Sequence, residues 1–220
     1  MILPTANLRD VRYPETDGDM GESDLHRWWM HRLIERLQYH FQGQPVYVTG
    51  NLMLYYEEGL PQRSLSPDVF VVTDCEPRRR VTFKTWEEGK VPDFVLEIAS
   101  ESTYREDARS KLQLYERIGV AEYFIYDPEG AWLQPALQGY RLVKDAYQPL
   151  NGNAERGVLS RRLGIRLALE HGQLVMTDSA TGQPLLSGDE QAAALKAELA
   201  RVKGKPTQRK KRPPRGKSRP

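Results

Sequence analysis

The chain has 220 residues, 39% hydrophobic and 28% charged, with a mean hydropathy of −0.64, which describes material for one substantial domain or two small ones. No stretch approaches the roughly 20 apolar residues of a spanning helix, and Met1 to Asp10 lacks the basic-then-apolar order of a secretory signal, so a cytoplasmic protein without a membrane segment is expected. A single cysteine, Cys75, and four histidines exclude an internal disulfide and a zinc-type cluster, leaving oxygen ligands for any metal.

Residues 1–21 read as an irregular polar arm with Pro4, Pro14 and the acidic run from Glu15 to Asp19. Ser23 is the expected cap of a first helix, in which Trp28, Trp29, Leu33, Ile34, Leu37 and Phe41 recur at helical spacing until Gly43. Strands are predicted at 45–48 and 52–56, around the turn at Gly50 and Asn51, and again at 69–72 and 94–99. A charged connection, 76–89, carries Arg78, Arg79 and Arg80. Helical spacing then runs from Ser102 to Ile118 and stops at Gly119, the residue type that ends helices in the left-handed conformation. A strand at 122–126 stops at Asp127 and Pro128. Hairpin-like pieces follow at 139–143, 167–169 and 174–176. The order of helix, strands, helix and more strands indicates an α/β protein with a mixed sheet flanked by helices and additional C-terminal β-hairpins. The expected organisation is the arm 1–21, a main domain 22–188, a short helix 189–202 and a tail 203–220.

The net charge of +2 hides a segregation. The last twenty positions hold ten of the 32 Lys and Arg residues and no acid, which leaves 22 bases against 30 acids, a body at −8. The tail, with Arg209, Lys210, Lys211 and Arg212 at its centre, is too polar to order itself, and it suits either solubilisation or a salt-sensitive grip on phosphates.

The chemically informative residues are acids where a structural sequence places apolar ones. Alternation in 94–99 sets Phe94, Leu96 and Ile98 on one face and Val95, Glu97 and Ala99 on the other. A carboxylate among such neighbours is costly to bury unless it is paired or bound to a cation. Asp68 opens the preceding strand, and two converging carboxylates suit Mg²⁺. The plain alternatives are a turn at Pro67 and Asp68 and an edge-strand charge at Glu97. Asp107, Lys111 and Tyr115 share a helix face. There Lys111 either stabilises charge on a phosphate or forms a surface ion pair with Asp107. The histidines are dispersed, and His26 and His31 read as surface or packing residues. Of Trp28 and Trp29, at least one is expected in the core, the other being free to stack on a base. No P-loop or Gly-rich dinucleotide fingerprint is present.

The ordered set Ser66-Pro67-Asp68-Val69-Phe70-Val71-Val72, then Pro92-Asp93-Phe94-Val95-Leu96-Glu97-Ile98-Ala99-Ser100, then Ser102, Thr103, Asp107, Lys111, Leu114, Tyr115, Gly119, Val120, Glu122, Tyr123, Asp127 and Pro128 resembles the Uma-type restriction endonuclease family. That family lies within the PD-(D/E)XK nuclease superfamily, and the resemblance covers about Glu22 to Leu186. It implies a restriction-endonuclease-like core and a Mg²⁺-dependent endonuclease acting on DNA, with Mn²⁺ as a substitute. In this likeness Asp68 matches the Asp of the PD motif and Glu97 the acid of the half-motif. Ala99 stands where the superfamily lysine is expected, and Lys111 takes that role from the following helix. The Ile98 carbonyl is a further implied metal ligand, and Glu22 a further acid whose plainer role is a helix-start carboxylate. A homodimer is the expected assembly. The competing function is a catalytically silent nucleic-acid-binding or oligomeric interaction protein with the same fold.

Overall fold

The computed structural model describes residues 11–13, 23–152 and 157–203. The first helix, Asp24–His40 (α1), starts where Ser23 accepts a hydrogen bond from the His26 N–H. Its buried stripe of Trp29, Met30, Leu33 and Leu37 turns to the sheet, the arrangement an amphipathic helix requires. Strands Val46–Thr49 (β1), Leu54–Tyr55 (β2), Ser64–Leu65 (β3), Val69–Thr73 (β4) and Phe83–Lys84 (β5) follow, then a one-turn helix Thr85–Glu88 (α2) and strand Phe94–Ile98 (β6). A helical segment comes next, built of Tyr104–Glu106 (α3), a π-helical turn Asp107–Lys111 and Leu112–Ile118 (α4). Strands Glu122–Tyr126 (β7), Leu137–Val143 (β8), Ala146–Pro149 (β9), Val158–Ser160 (β10), Ile165–Glu170 (β11) and Gln173–Asp178 (β12) complete the main unit. A separate unit contains the helix Gly188–Lys203 (α5), on which Leu195 and Leu199 are exposed.

The fold is therefore a mixed α/β architecture. Six strands form the central sheet in the order β1-β4-β6-β7-β8-β9, with β6 and β7 parallel and the other pairs antiparallel. A three-stranded antiparallel sheet, β10-β11-β12, supplies the C-terminal hairpins. Alternation along β6 holds as the sequence indicates. Phe94, Leu96 and Ile98 join the core shared with α1 and the C-terminal sheet, while Val95 and Ala99 join the core shared with Tyr115 of α4. Glu97 lies in the interior of the sheet with no exposed surface, because β6 is flanked by β4 and β7 and is not an edge. The edge-charge alternative is thereby excluded.

Three local features depart from the sequence reading. The strand expected at 52–56 does not join the main sheet. Only Leu54 and Tyr55 pair, with β3 and with β5, so the connection 76–89 contributes a short strand and α2 to a second small sheet. The helix expected over 102–118 is interrupted by its π turn. Gly119 ends it with φ of 89°, the conformation its missing Cβ allows.

At Gly50 the chain passes so close to the next strand that a Cβ would stand 1.9 Å from the Asp68 carbonyl oxygen and 2.8 Å from Ile34 Cδ1. The Asn51 N–H donates to the Pro67 carbonyl at 2.8 Å, which locks the two turns together. Gly50→Ala is therefore expected to destabilise the protein by about 1–3 kcal/mol through overpacking, read as a lower urea midpoint at unchanged slope.

Candidate active site

Asp68 precedes β4 and Glu97 is the penultimate residue of β6, and the antiparallel register, Val69 opposite Leu96, brings them to the same end of the sheet. The two acids are linked through the backbone. The Asp68 N–H donates to Glu97 Oε2 at 3.3 Å, and the Ile98 N–H donates to Asp68 Oδ2 at 2.7 Å. Each strand thus positions the other's carboxylate, with a main-chain amide as the spacer.

Lys111 reaches both acids of its own neighbourhood. Its Nζ lies 3.3 Å from Glu97 Oε2 and 2.9 Å from Asp107 Oδ1. The Tyr115 hydroxyl donates to Glu97 Oε1 at 2.5 Å. The Asp107 carboxylate is buried with the Lys111 ammonium at 2.9 Å as its charged partner, while the Asp107 carbonyl accepts from the Tyr123 hydroxyl at 3.0 Å. The surface-pair alternative for Asp107 and Lys111 does not apply, since Asp107 is 1% exposed. The π turn is what aligns this helix face. Residues four apart drift by about 40° per step around an α-helix of 3.6 residues per turn. The wider π turn rotates the chain less per residue, so the drift from Asp107 to Lys111 opposes that from Lys111 to Tyr115.

The electrostatics follow from counting charges. Asp68, Glu97 and Asp107 stand against the Lys111 ammonium and one imidazole. Burial pushes the Glu97 carboxyl well above the usual carboxylate range, with Asp68 and Asp107 adding to the shift and Lys111 opposing it. Asp107 is raised by burial too, against the pull of Lys111. For Lys111, burial works to lower its pKa, but Glu97, Asp107 and Asp68 together outweigh it and hold the ammonium charged. The Tyr115 phenol is pushed up by burial and by Glu97, so it remains a donor.

His26 is the residue that sequence reasoning misassigned. It is neither a surface nor a mere packing residue, for its Nε2 lies 2.9 Å from Asp68 Oδ1, with both side chains largely buried. The cap of α1 fixes it, since its own N–H is held by Ser23 Oγ. The signal available was only a histidine one turn into a helix. Arg80 is enclosed and held by Glu88 through Nε and Nη2, and Arg78 also donates to Glu88, so two of the three arginines share one internal carboxylate. Trp29 packs on Tyr126 in the core, while Trp28 is exposed with Arg32 over its ring. Glu22, Arg209, Lys210, Lys211 and Arg212 lie outside the described residues.

Among the described residues no three or more His, Cys, Asp or Glu side chains form a ready-made metal cage. The donor set nevertheless fits a hard divalent ion such as Mg²⁺, which takes one or two carboxylates and keeps its waters. Asp68 and Glu97 keep unused lone pairs beside their hydrogen bonds, the Ile98 carbonyl belongs to the same strand end, and the buried negative charge exceeds the positive. A mixed sheet with two carboxylates and a lysine gathered at one end is the arrangement that the resemblance to restriction endonucleases implies.

The comparisons agree. A family model described as "Putative restriction endonuclease", Uma2, matches residues 3–175, and the chain belongs to this family. The crystal structure of "a putative nuclease belonging to DUF820" from Anabaena variabilis ATCC 29413 superposes with a TM-score of 0.50 at 12% identity, covering 73% of this chain and 92% of that one. That likeness concerns the fold. No curated protein matches the sequence.

Removing the ammonium leaves the acids facing one another. Lys111→Met is expected to cost about 3 kcal/mol at neutral pH, the usual result of breaking a buried pair. In that variant the folded acids hold protons more tightly than the unfolded chain, whose carboxyls titrate near 3.8 and 4.5. Stability then falls as pH rises above those values. Chemical denaturation of wild type and variant should show a smaller difference at pH near 5 than at pH near 8, and a pH-independent difference would contradict this charge balance.

Proposed function

We propose that the chain is a Mg²⁺-dependent endonuclease that hydrolyses DNA phosphodiester bonds, with Mn²⁺ as a substitute. The observation that carries this reading is the meeting of Asp68, Glu97 and Lys111 at one end of the sheet, with Glu97 fully enclosed in a central strand. Asp68, Glu97 and the Ile98 carbonyl would hold the metal. A bound divalent ion supplies Lewis-acid polarisation of the phosphate and lowers the pKa of a water.

The protein's own residues account for the rest. The amide of Ile98 and the imidazole of His26 keep Asp68 from rotating. Tyr115 and the Asp68 amide do the same for Glu97, so both carboxylates are preorganised before substrate arrives. Lys111 stays charged and is 21% exposed at its side chain, which gives it access to an incoming phosphate. In this role it stabilises the negative charge that develops on phosphorus or orients the attacking water. None of these groups forms a covalent intermediate. Glu22 would supply a further acid in the same reading.

Cleavage of supercoiled DNA by wild type, Asp68→Ala, Glu97→Ala and Lys111→Ala, prepared identically with Mg²⁺ or Mn²⁺, tests the proposal. The two acid variants should lose all measurable cleavage, and Lys111→Ala should lose about 10²–10³-fold, the usual loss for one preorganised charge-stabilising group. Equal cleavage in all four preparations would identify a contaminant and sink the reading in favour of a catalytically silent binding protein.

The partner in this reading is DNA, the compartment is the cytoplasm, and a homodimer would offer one site to each strand of a duplex. Arg209, Lys210, Lys211 and Arg212 would hold phosphates without regard to sequence. Truncation after Lys203 should then weaken DNA binding and flatten the plot of log K against log salt by about 0.9 for each duplex phosphate that the tail neutralises. An unchanged slope would remove the tail from the interface.

A further inference from the structure

Strands β6 and β7 run parallel, with Ile98 opposite Tyr126 and the Ala99 N–H donating to the Tyr126 carbonyl at 2.8 Å. The segments that follow them therefore leave the sheet at the same end, the end that carries Glu97. Each brings one aromatic ring. Tyr104, at the start of α3, and Trp132, in the loop after β7, lie with ring centroids 5.6 Å apart at an interplanar angle of 26°, a stacked pair. Arg105 adds a third planar group, its Nε donating to the Tyr104 hydroxyl at 2.9 Å with its guanidinium carbon 5.3 Å from that ring's centroid.

The loop is built to hold Trp132 still. Buried Asp127 accepts hydrogen bonds from the backbone amides of Glu129, Gly130, Trp132 and Leu133, and Leu133 is sunk in the core. Trp132 itself stays half-buried, with its indole N–H donating to Glu129 at 3.1 Å. A large ring fixed by the hydrogen bonds of its own loop yet left partly in water gains little from burial, whereas a rigid, partly exposed aromatic face beside an arginine is the arrangement that stacks nucleobases.

Resting on the nuclease reading above, we infer that Tyr104, Trp132 and Arg105 form a stacking platform for an unpaired base of single-stranded DNA next to the catalytic end of the sheet. A base in a duplex presents only its edge, so its face reaches the platform only once it is unstacked. The platform therefore favours single-stranded over duplex DNA, and it does so by binding rather than by chemistry.

The test uses the full chain carrying Glu97→Gln, to prevent cleavage, with fluorescence anisotropy on a labelled oligothymidylate and on a labelled duplex of equal length. Adding Trp132→Ala should weaken single-strand binding by about tenfold, in line with the loss of one stacked base, and duplex binding less than about twofold. Trp132→Phe, which keeps a ring and loses the indole N–H, should retain most of the affinity. A 2-aminopurine base in the oligonucleotide should be quenched on binding to the parent and less so to the Trp132→Ala protein, and this reading on the parent decides the matter if the alanine variant fails to fold. Single-strand affinity unchanged by Trp132→Ala, or no quenching, overturns the platform while wild-type cleavage of supercoiled DNA leaves the nuclease reading standing. No binding of single strands at all overturns the platform as well, and only the absence of cleavage besides would remove the nuclease reading.

Discussion

A fully enclosed carboxylate in the middle of a central strand is the constraint around which this molecule is organised. Taking an ionised Glu97 out of water costs several kcal/mol even after relaxation, and its central-strand position leaves it with no exposed surface. The surroundings answer that cost group by group, with a phenol on one oxygen and an ammonium and a backbone amide on the other. None of the three is available without a particular structural device. Tyr115 and Lys111 face the same way through the i,i+4 spacing of α4, the π turn brings Asp107 to that face, and the Asp68 amide is in reach because β4 pairs with β6 in a fixed register.

The same compensation stops short of neutrality. Three carboxylates share one ammonium and one imidazole, so neighbouring acids add to the burial that already holds Glu97 and Asp107 above the usual carboxylate range. A purely structural cluster gains nothing from that excess of acids, since apolar replacement of buried ion pairs is often stabilising. A site for a divalent cation does gain from it, because the cation completes the balance that Lys111 leaves open. Stability sacrificed at one strand end is the pattern expected where function, not folding, dictates the residues.

Much of this was legible from sequence where the signal is local. The alternation in 94–99 assigned each side chain of β6 to its face, and the acid in the apolar run pointed to a buried charge before any neighbour was known. Spacing of four marked Asp107, Lys111 and Tyr115 as one helix face. What escaped were meetings between segments far apart in the chain. His26 meets Asp68 across 42 residues, and nothing in either segment announces the meeting. The two-residue strands β2, β3 and β5 are too short for period-two alternation to register. The π turn has no composition of its own, and the pairing of Arg80 with Glu88 spans eight residues with no periodicity to mark it.

The internal pairing of the arginines changes how a polyanion would approach. Glu88 engages both Arg78 and Arg80, one carboxylate offsets one of the run's three charges, and the negative charge of the rest of the body opposes long-range attraction of DNA. In the proposed reading, attraction at short range would come from Lys111 within the site and Arg105 on its rim, and from the basic C-terminal sequence by counterion release. Such a division separates capture from chemistry. In that reading a sequence-independent basic segment would raise the local concentration of nucleic acid, while the site would keep its own surplus of negative charge for a metal. A divalent cation held by Asp68 and Glu97 would, in the same reading, offset that surplus and so make an acidic centre compatible with a nucleic-acid substrate.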